Sequence, residues 1–74
     1  MFNKLVLTGA RGNLGNELRP ALAKMTRELV STDIREAPES LAPNETYVQA
    51  DIADFAAVEP LLKGADMVIH FGAI

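Results

Sequence analysis

Two short apolar runs without a helical period stand near the ends of this chain, Leu5-Val6-Leu7 and Met67-Val68-Ile69. Runs of that length, rich in Val, Ile and Leu and bounded by turn residues, predict buried strands. The first is predicted over 2–8, ended by Gly9. The last is predicted over 67–71 and buried on both faces, as in a parallel sheet. Leu14, Leu18, Leu22 and Met25 recur at intervals of four, four and three, one face of a helix from about 13 to 24. Glu28 to Asp33 and Thr46 to Ala50 read as two further strands. Residues 35–44 hold Pro38 and Pro43 and read as a loop with room for one helical turn. Asp54 is a good N-cap for a helix over about 55–63, with Phe55, Val58 and Leu62 as its apolar face and Gly64 as its stop. Pro20 and Pro60 fall inside the two helices at a cost of about 3 kcal/mol each, which predicts a bend or an edge turned to solvent.

The order strand, helix, strand, strand, helix, strand predicts an α/β parallel sheet. Right-handed crossovers place the strands 3-2-1-4. The order reverses between the first strand and the fourth, and ligands bind beyond the carboxyl ends of strands at such a switch point. Residues 9–15, Asp33, Asp51 and residues 71–74 all fall on that side.

Thr8-Gly-Ala-Arg-Gly-Asn-Leu-Gly15 gives this location a chemistry. The glycines at 9, 12 and 15 have the spacing G-x-x-G-x-x-G. A strand that turns into a helix through glycines aims free N–H groups and the positive end of a helix dipole at one spot, which suits phosphate. Asp33 closes the next strand close to the roughly 20-residue offset at which a carboxylate meets a ribose. Three glycines alone are equally a surface turn; strand, helix and acid together point to a dinucleotide.

The chain has 74 residues, seven basic and ten acidic, no Cys and one His, for a net charge of −3. Neither a disulfide nor a metal staple is offered, and no metal or nucleophile constellation appears. The balance argues against nucleic acid as the main partner. No apolar stretch approaches the roughly 20 residues of a membrane span, and the N-terminus is a poor signal peptide. The lack of Cys fits the cytoplasm. A chain this size buries only about 60% of its unfolded surface. Its last strand, central in this topology, would be a bare apolar edge. The expectation is that residues 1–74 are the N-terminal part of a larger doubly wound domain.

Residues 8–15 with Asp33, Asp51-Ile52 and His70-Phe-Gly-Ala73 resemble the cofactor half of the extended short-chain dehydrogenases/reductases, the NAD-dependent epimerase/dehydratase relatives, over the whole chain. Residues 5–19, 31–34, 49–54 and 68–72 look most like uronate dehydrogenases, which oxidise a hexuronic acid at C1 with NAD. The resemblance implies a Rossmann-type fold and NAD as cofactor. Gly9, Gly12 and Gly15 would form the phosphate turn, with the backbone of Asn13 and Leu14 at the pyrophosphate. Asp33 would hold the adenosine ribose, and Asp51 and Ile52 would border the adenine. Phe71, Gly72 and Ala73 would pass under the pyrophosphate and nicotinamide ribose. Gly72 stands where many relatives carry Ala. The intact protein would act on a small sugar acid and form a homo-oligomer.

A carboxylate at 33 favours NAD, because a 2′-phosphate would meet like charge. Arg11 and Arg35 read as solvated arginines on turns, either of which could reach a 2′-phosphate by swinging in. The family's catalytic pair is Tyr-x-x-x-Lys, but Asp51 stands four after Tyr47, the only tyrosine. Tyr47 therefore reads as a strand residue and His70 as a hydrogen-bonded packing residue. Glu36, Glu39 and Glu45 read as a solvated loop. No catalytic residue is assigned in this chain, which alone should be inactive. A nucleotide-sugar epimerase or dehydratase, or a non-catalytic dinucleotide sensor, would use the same cradle.

Overall fold

The computed structural model describes residues 1–71. In chain order the elements are β1 (Phe2–Thr8), α1 (Asn13–Ala23), β2 (Thr26–Asp33), β3 (Glu45–Gln49), α2 (Phe55–Leu62) and β4 (Met67–His70). The four strands form one parallel sheet in the order β3-β2-β1-β4, as the crossover argument predicts. Thr8 stands opposite Thr32 on one side and His70 on the other, and Thr32 opposite Val48. The carboxyl ends of all four strands therefore reach one edge of the sheet.

Strand alternation divides the side chains between two faces. Leu5, Leu7 and Leu29 are fully buried with Ala10, Leu22 and Ala23 in a core under α1, flanked by Phe2, Leu18, Ala42, Tyr47 and Ile69. Each fully buried leucine contributes about 1.5–3 kcal/mol. Val6 and Val30 alternate to the opposite face. The second crossover runs the other way across the sheet, so right-handedness puts α2 on that face. Val58 is its buried residue.

Several elements differ from the pattern-based expectation. The inner line of α1 is Gly15, Arg19, Leu22 and Ala23, while Leu14 and Met25 are about half exposed. Rotation of the helix brings its smallest residue against the turn after β1 and displaces the leucine stripe sideways. Phe55 is 68% exposed and leaves Val58 as the anchor of α2. β4 is an edge strand with Met67 and Val68 exposed, not buried on both faces as its apolar run alone suggests but the bare apolar edge expected of residues 1–74. β2 begins two residues early, at Thr26, which pairs with Phe2 of β1 and whose single hydroxyl proton is shared between the carbonyls of Glu28 and Phe2 at 2.9 and 3.1 Å. Pro20 and Pro60 both sit on exposed helix edges, the placement at which the missing N–H bond costs least. Residues 34–44 form no helix; a single turn over 42–45 is closed by the Glu45 N–H donating to Ala42 O at 3.0 Å. Asp54 caps α2 by accepting from Ala57 N–H, and Gly64 takes the left-handed conformation (φ +74°) just past the helix.

Glu45 is the largest departure. It is buried at the start of β3, not solvated on a loop. Its carboxylate accepts from Arg19 Nε at 2.7 Å, from the Ala42 N–H at 3.0 Å and from the Ser31 hydroxyl. Arg19 Nη2 also donates to Ser40 O at 2.9 Å. One ion pair thus ties α1, β2 and the approach to β3. Burial alone would raise the Glu45 carboxyl. The hydrogen bonds from Arg19, Ser31 and Ala42 and the charge of Arg19 outweigh it, so the carboxyl is held below its ordinary range.

A carboxyl more acidic folded than unfolded gives its full stability above the unfolded value and loses it as pH falls through the folded one. Glu45→Gln should cost about 3 kcal/mol in urea unfolding at neutral pH, because Arg19 is left buried without a counter-charge. Its stability should also fall less steeply than the parent's below about pH 4.3. Parallel acid limbs would remove Glu45 from the acid sensitivity.

Candidate functional site

An open cleft of about 360 Å³ lies at the carboxyl edge of the sheet. Thr8, Gly9 and Gly12 form one wall; Thr32, Asp33, Ile34 and Arg35 form the next. Ala50, Asp51, Ile52 and Phe71 complete it. It occupies the switch point between β1 and β4 that the strand order defines.

The three glycines have three different physical reasons. Gly9 has φ +70°, which lets β1 turn sharply into α1. A Cβ on Gly15 would lie 2.3 Å from Gly9 O and 2.9 Å from Ala10 Cα, so only glycine lets α1 reach the turn. Gly12 is different. It is the N-cap with φ −69° and ψ 168°, open to any residue, and a Cβ there would make only an ordinary 3.4 Å contact. Nothing within the described protein requires glycine at 12. What the missing Cβ leaves is open backbone beside the cleft.

The helix start is equally bare. No side chain caps α1, and the Asn16 N–H donates to Gly12 O as its first bond. The N–H groups of Asn13, Leu14 and Gly15 precede that bond and have no acceptor in the helix. Together with the dipole they make this end of the cleft attractive to an anion.

Asp33 ends β2 half-buried beside that turn. One carboxylate oxygen accepts from the Arg11 N–H at 2.9 Å, the other from the Arg35 N–H at 3.2 Å. A carboxylate has about four lone-pair sites, so two remain for a ligand. Next to it, the buried Thr32 hydroxyl has no hydrogen-bond partner among the described residues. A buried hydroxyl without a partner in a cleft wall marks a place where a ligand or water completes the bonding.

The predicted site residues fall into three groups. Gly9, Gly12, Asp33, Asp51, Ile52 and Phe71 line the cleft together. Asn13, Leu14 and Gly15 do not line it; the first two sit exposed at the start of α1, and Gly15 is packed beneath. Gly72 and Ala73 lie outside the described residues. Asp51 Oδ1 accepts from the Ala53 N–H, and the Phe71 N–H continues the β4 ladder to Thr8 O.

Other polar residues frame the cleft. His70 Nδ1 pairs with the Thr8 hydroxyl, so it is hydrogen-bonded as expected, though exposed at the edge strand. Tyr47 is a β3 residue whose hydroxyl donates to Arg35 O. Burial, then the charge of Asp33, pushes its phenol up, which keeps it a neutral tether. Arg11 and Arg35 are not free on their turns. Arg11 Nε donates to Glu36 O and Arg35 Nη1 to Arg11 O. The Arg19–Glu45 pair gave no local sequence signal, because its partners share neither a helix turn nor a strand.

A model of the NAD dependent epimerase/dehydratase family matches residues 5–74. Uronate dehydrogenase of Pseudomonas putida is 42% identical over 73 residues, 99% of this chain and 27% of that protein. Among solved structures, a mutant uronate dehydrogenase from Agrobacterium tumefaciens complexed with NAD superposes with a TM-score of 0.87 at 39% identity. It is covered over 97% of this chain and 27% of that one. A glucuronic acid dehydrogenase from Chromohalobacter salexigens gives 0.87 at 38% identity, over 100% and 27%. The chain thus spans about a quarter of the length of the relatives it matches. No helix among the described residues is long and apolar enough to cross a membrane.

The glycines give a direct test of the geometry. Gly15→Ala should lower stability by about 1–3 kcal/mol, since the added carbon meets backbone that cannot yield. Gly12→Ala should cost less than about 1 kcal/mol, the usual scale of an N-cap change. Thermal melts of both variants check this, and equal losses would remove the distinction drawn between the two positions.

Proposed function

We propose, for a chain that belongs to the NAD dependent epimerase/dehydratase family, that this cleft holds NAD and that the intact protein oxidises a hexuronic acid. The observation that carries the cofactor is the pairing of an uncapped helix start with a half-buried carboxylate that keeps free lone pairs. The residues present fit the group. The N–H groups of Asn13 and Leu14 would receive the pyrophosphate, and Gly12 would let it lie against backbone. Gly9 and Gly15 hold the turn that aims them. Asp33 would accept from the adenosine ribose hydroxyls. Asp51 and Ile52 would border the adenine, and Phe71, Gly72 and Ala73 would run beneath the nicotinamide end.

NAD, when bound, supplies the hydride acceptor. This chain's residues fix where it lies; the proton from the sugar hydroxyl needs a general base. Tyr47 does not serve, since its phenol is engaged with a backbone carbonyl and no Lys follows at the family's spacing. The chain alone is therefore a cradle without turnover. Similarity to uronate dehydrogenases over nearly the whole chain supports a sugar acid as substrate. A cytoplasmic homo-oligomer is the setting this reading carries.

Titration of the intact protein should show NAD binding at least about tenfold tighter than NADP, because Asp33 faces the 2′ position with like charge. Equal affinities would remove the role given to Asp33. Glucuronate or galacturonate should drive NADH formation. Binding of NAD without NADH formation from either acid would leave the cradle and reject the oxidation, in favour of an epimerase or sensor.

A further inference from the structure

The Arg11 side chain leaves the ribose side of the turn although its backbone touches Asp33. Its N–H donates to the Asp33 carboxylate, so its Cα lies beside the group that would meet the ribose. An arginine side chain from that point could reach whatever the carboxylate touches. Instead, Nε donates to Glu36 O at 3.0 Å and Nη1 to Asn16 Oδ1 at 3.2 Å, and Arg11 is absent from the cleft lining.

Asn16 is the centre of this restraint. Its Oδ1 accepts from both Arg11 Nη1 and Arg19 Nη1, each at 3.2 Å, and its Nδ2 donates to Arg11 O at 3.1 Å. Arg19 is in turn locked by the buried Glu45. A continuous chain of hydrogen bonds thus runs from the Glu45 carboxylate through Arg19, Asn16 and Arg11 to Asp33. Arg35 does line the cleft, but its bond to Arg11 O does not involve the Asn16 side chain.

We infer that Asn16 is a positioning residue for cofactor specificity: by clasping Arg11 it keeps a guanidinium away from the 2′ position of the ribose and leaves Asp33 to exclude a 2′-phosphate. The inference rests on the dinucleotide reading of the cleft. Loss of the clasp leaves the Arg11 side chain held only by its bond to Glu36 O and releases its Nη1 end next to Asp33, where the cation offsets the carboxylate and pairs with a phosphate. Both guanidiniums need an acceptor at 16, so a carboxylate there does the same work.

The test measures Kd for NAD and NADP by calorimetry on the intact protein, with a thermal melt of each variant. Asn16→Ala should narrow the preference for NAD by about fivefold or more, through tighter NADP binding, the scale of one charge-assisted bond. Asn16→Asp should keep the parental preference. Asn16→Ala combined with Arg11→Ala should restore it, since the released guanidinium is gone while Arg35 keeps its bond to the backbone carbonyl of residue 11. A merely structural role would weaken both cofactors together. That result, or a narrowed preference that survives removal of Arg11, overturns the inference. Should Asn16→Ala fail to fold, a shifted preference in Asn16→Asp overturns it as well. If the parent binds neither dinucleotide, the cofactor reading itself falls, and this with it. A parent that prefers NAD beside an unshifted Asn16→Ala rejects the clasp alone.

Discussion

Backbone lies directly on backbone where α1 meets the turn after β1, and the geometry at the strand ends follows from that contact. Any side chain at 15 would bring its Cβ to 2.3 Å from Gly9 O. With none, the helix start comes down onto the end of β1, and its unpaired N–H groups open at the carboxyl edge of the sheet. The same contact sets the rotation of α1. Arg19, one turn beyond Gly15, then points inward with Leu22 and Ala23, and the leucine stripe is left partly in solvent.

An inward arginine on a short helix requires compensation, and Glu45 supplies it. Breaking a buried ion pair is costly, but its presence adds little stability over a well-packed apolar alternative. Its effect here is one of placement. The apolar core is small and lies mainly under α1. It does little to fix residues 34–44, which have no regular structure. Bonds from Arg19 to Ser40 O and from the Ala42 N–H to Glu45 pin that segment to the helix. Asn44 adds a second pin through the carbonyls of Ala23 and Thr26. The end of β2, with Asp33, is thereby held against the glycine turn.

The sheet order and the cleft were legible because they rest on local signals. Apolar runs give strands, glycine spacing gives the turn, and crossover handedness does the rest. Asp33 was legible for the same reason, since its offset from the turn is set by the length of one helix and one strand. The helix faces were less so. Periodicity finds a stripe but not which edge of it meets the sheet, and a glycine that must be inside outweighs a leucine that only prefers to be. Glu45 was misread because charge near a proline-rich loop looks solvated until its partner, brought close only by the fold, is known. The exposure of β4 follows from the strand order, which leaves it at the edge, and not from the apolar run at 67–70, which by itself reads as buried.

In the proposed dinucleotide site, cofactor grip and cofactor choice are carried by different chemistry. The end proposed to take phosphate is made of backbone N–H groups and of glycines that keep Cβ atoms away, so it offers no side-chain chemistry of its own. Such a cradle is compatible with oxidation, epimerisation or mere sensing, so its geometry selects no reaction. Discrimination begins where side chains appear, at Asp33 and the arginines around it. There a single carboxylate binds the turn and, in the proposed site, also faces the ribose; under that proposal its two uses agree only while neighbouring cations stay tethered. The bonds from Arg11 to Glu36 O and Asn16, and from Arg35 to Arg11 O, are those tethers. Under the proposed reading, specificity in this chain is a property of where the arginines are held as much as of the acid they surround.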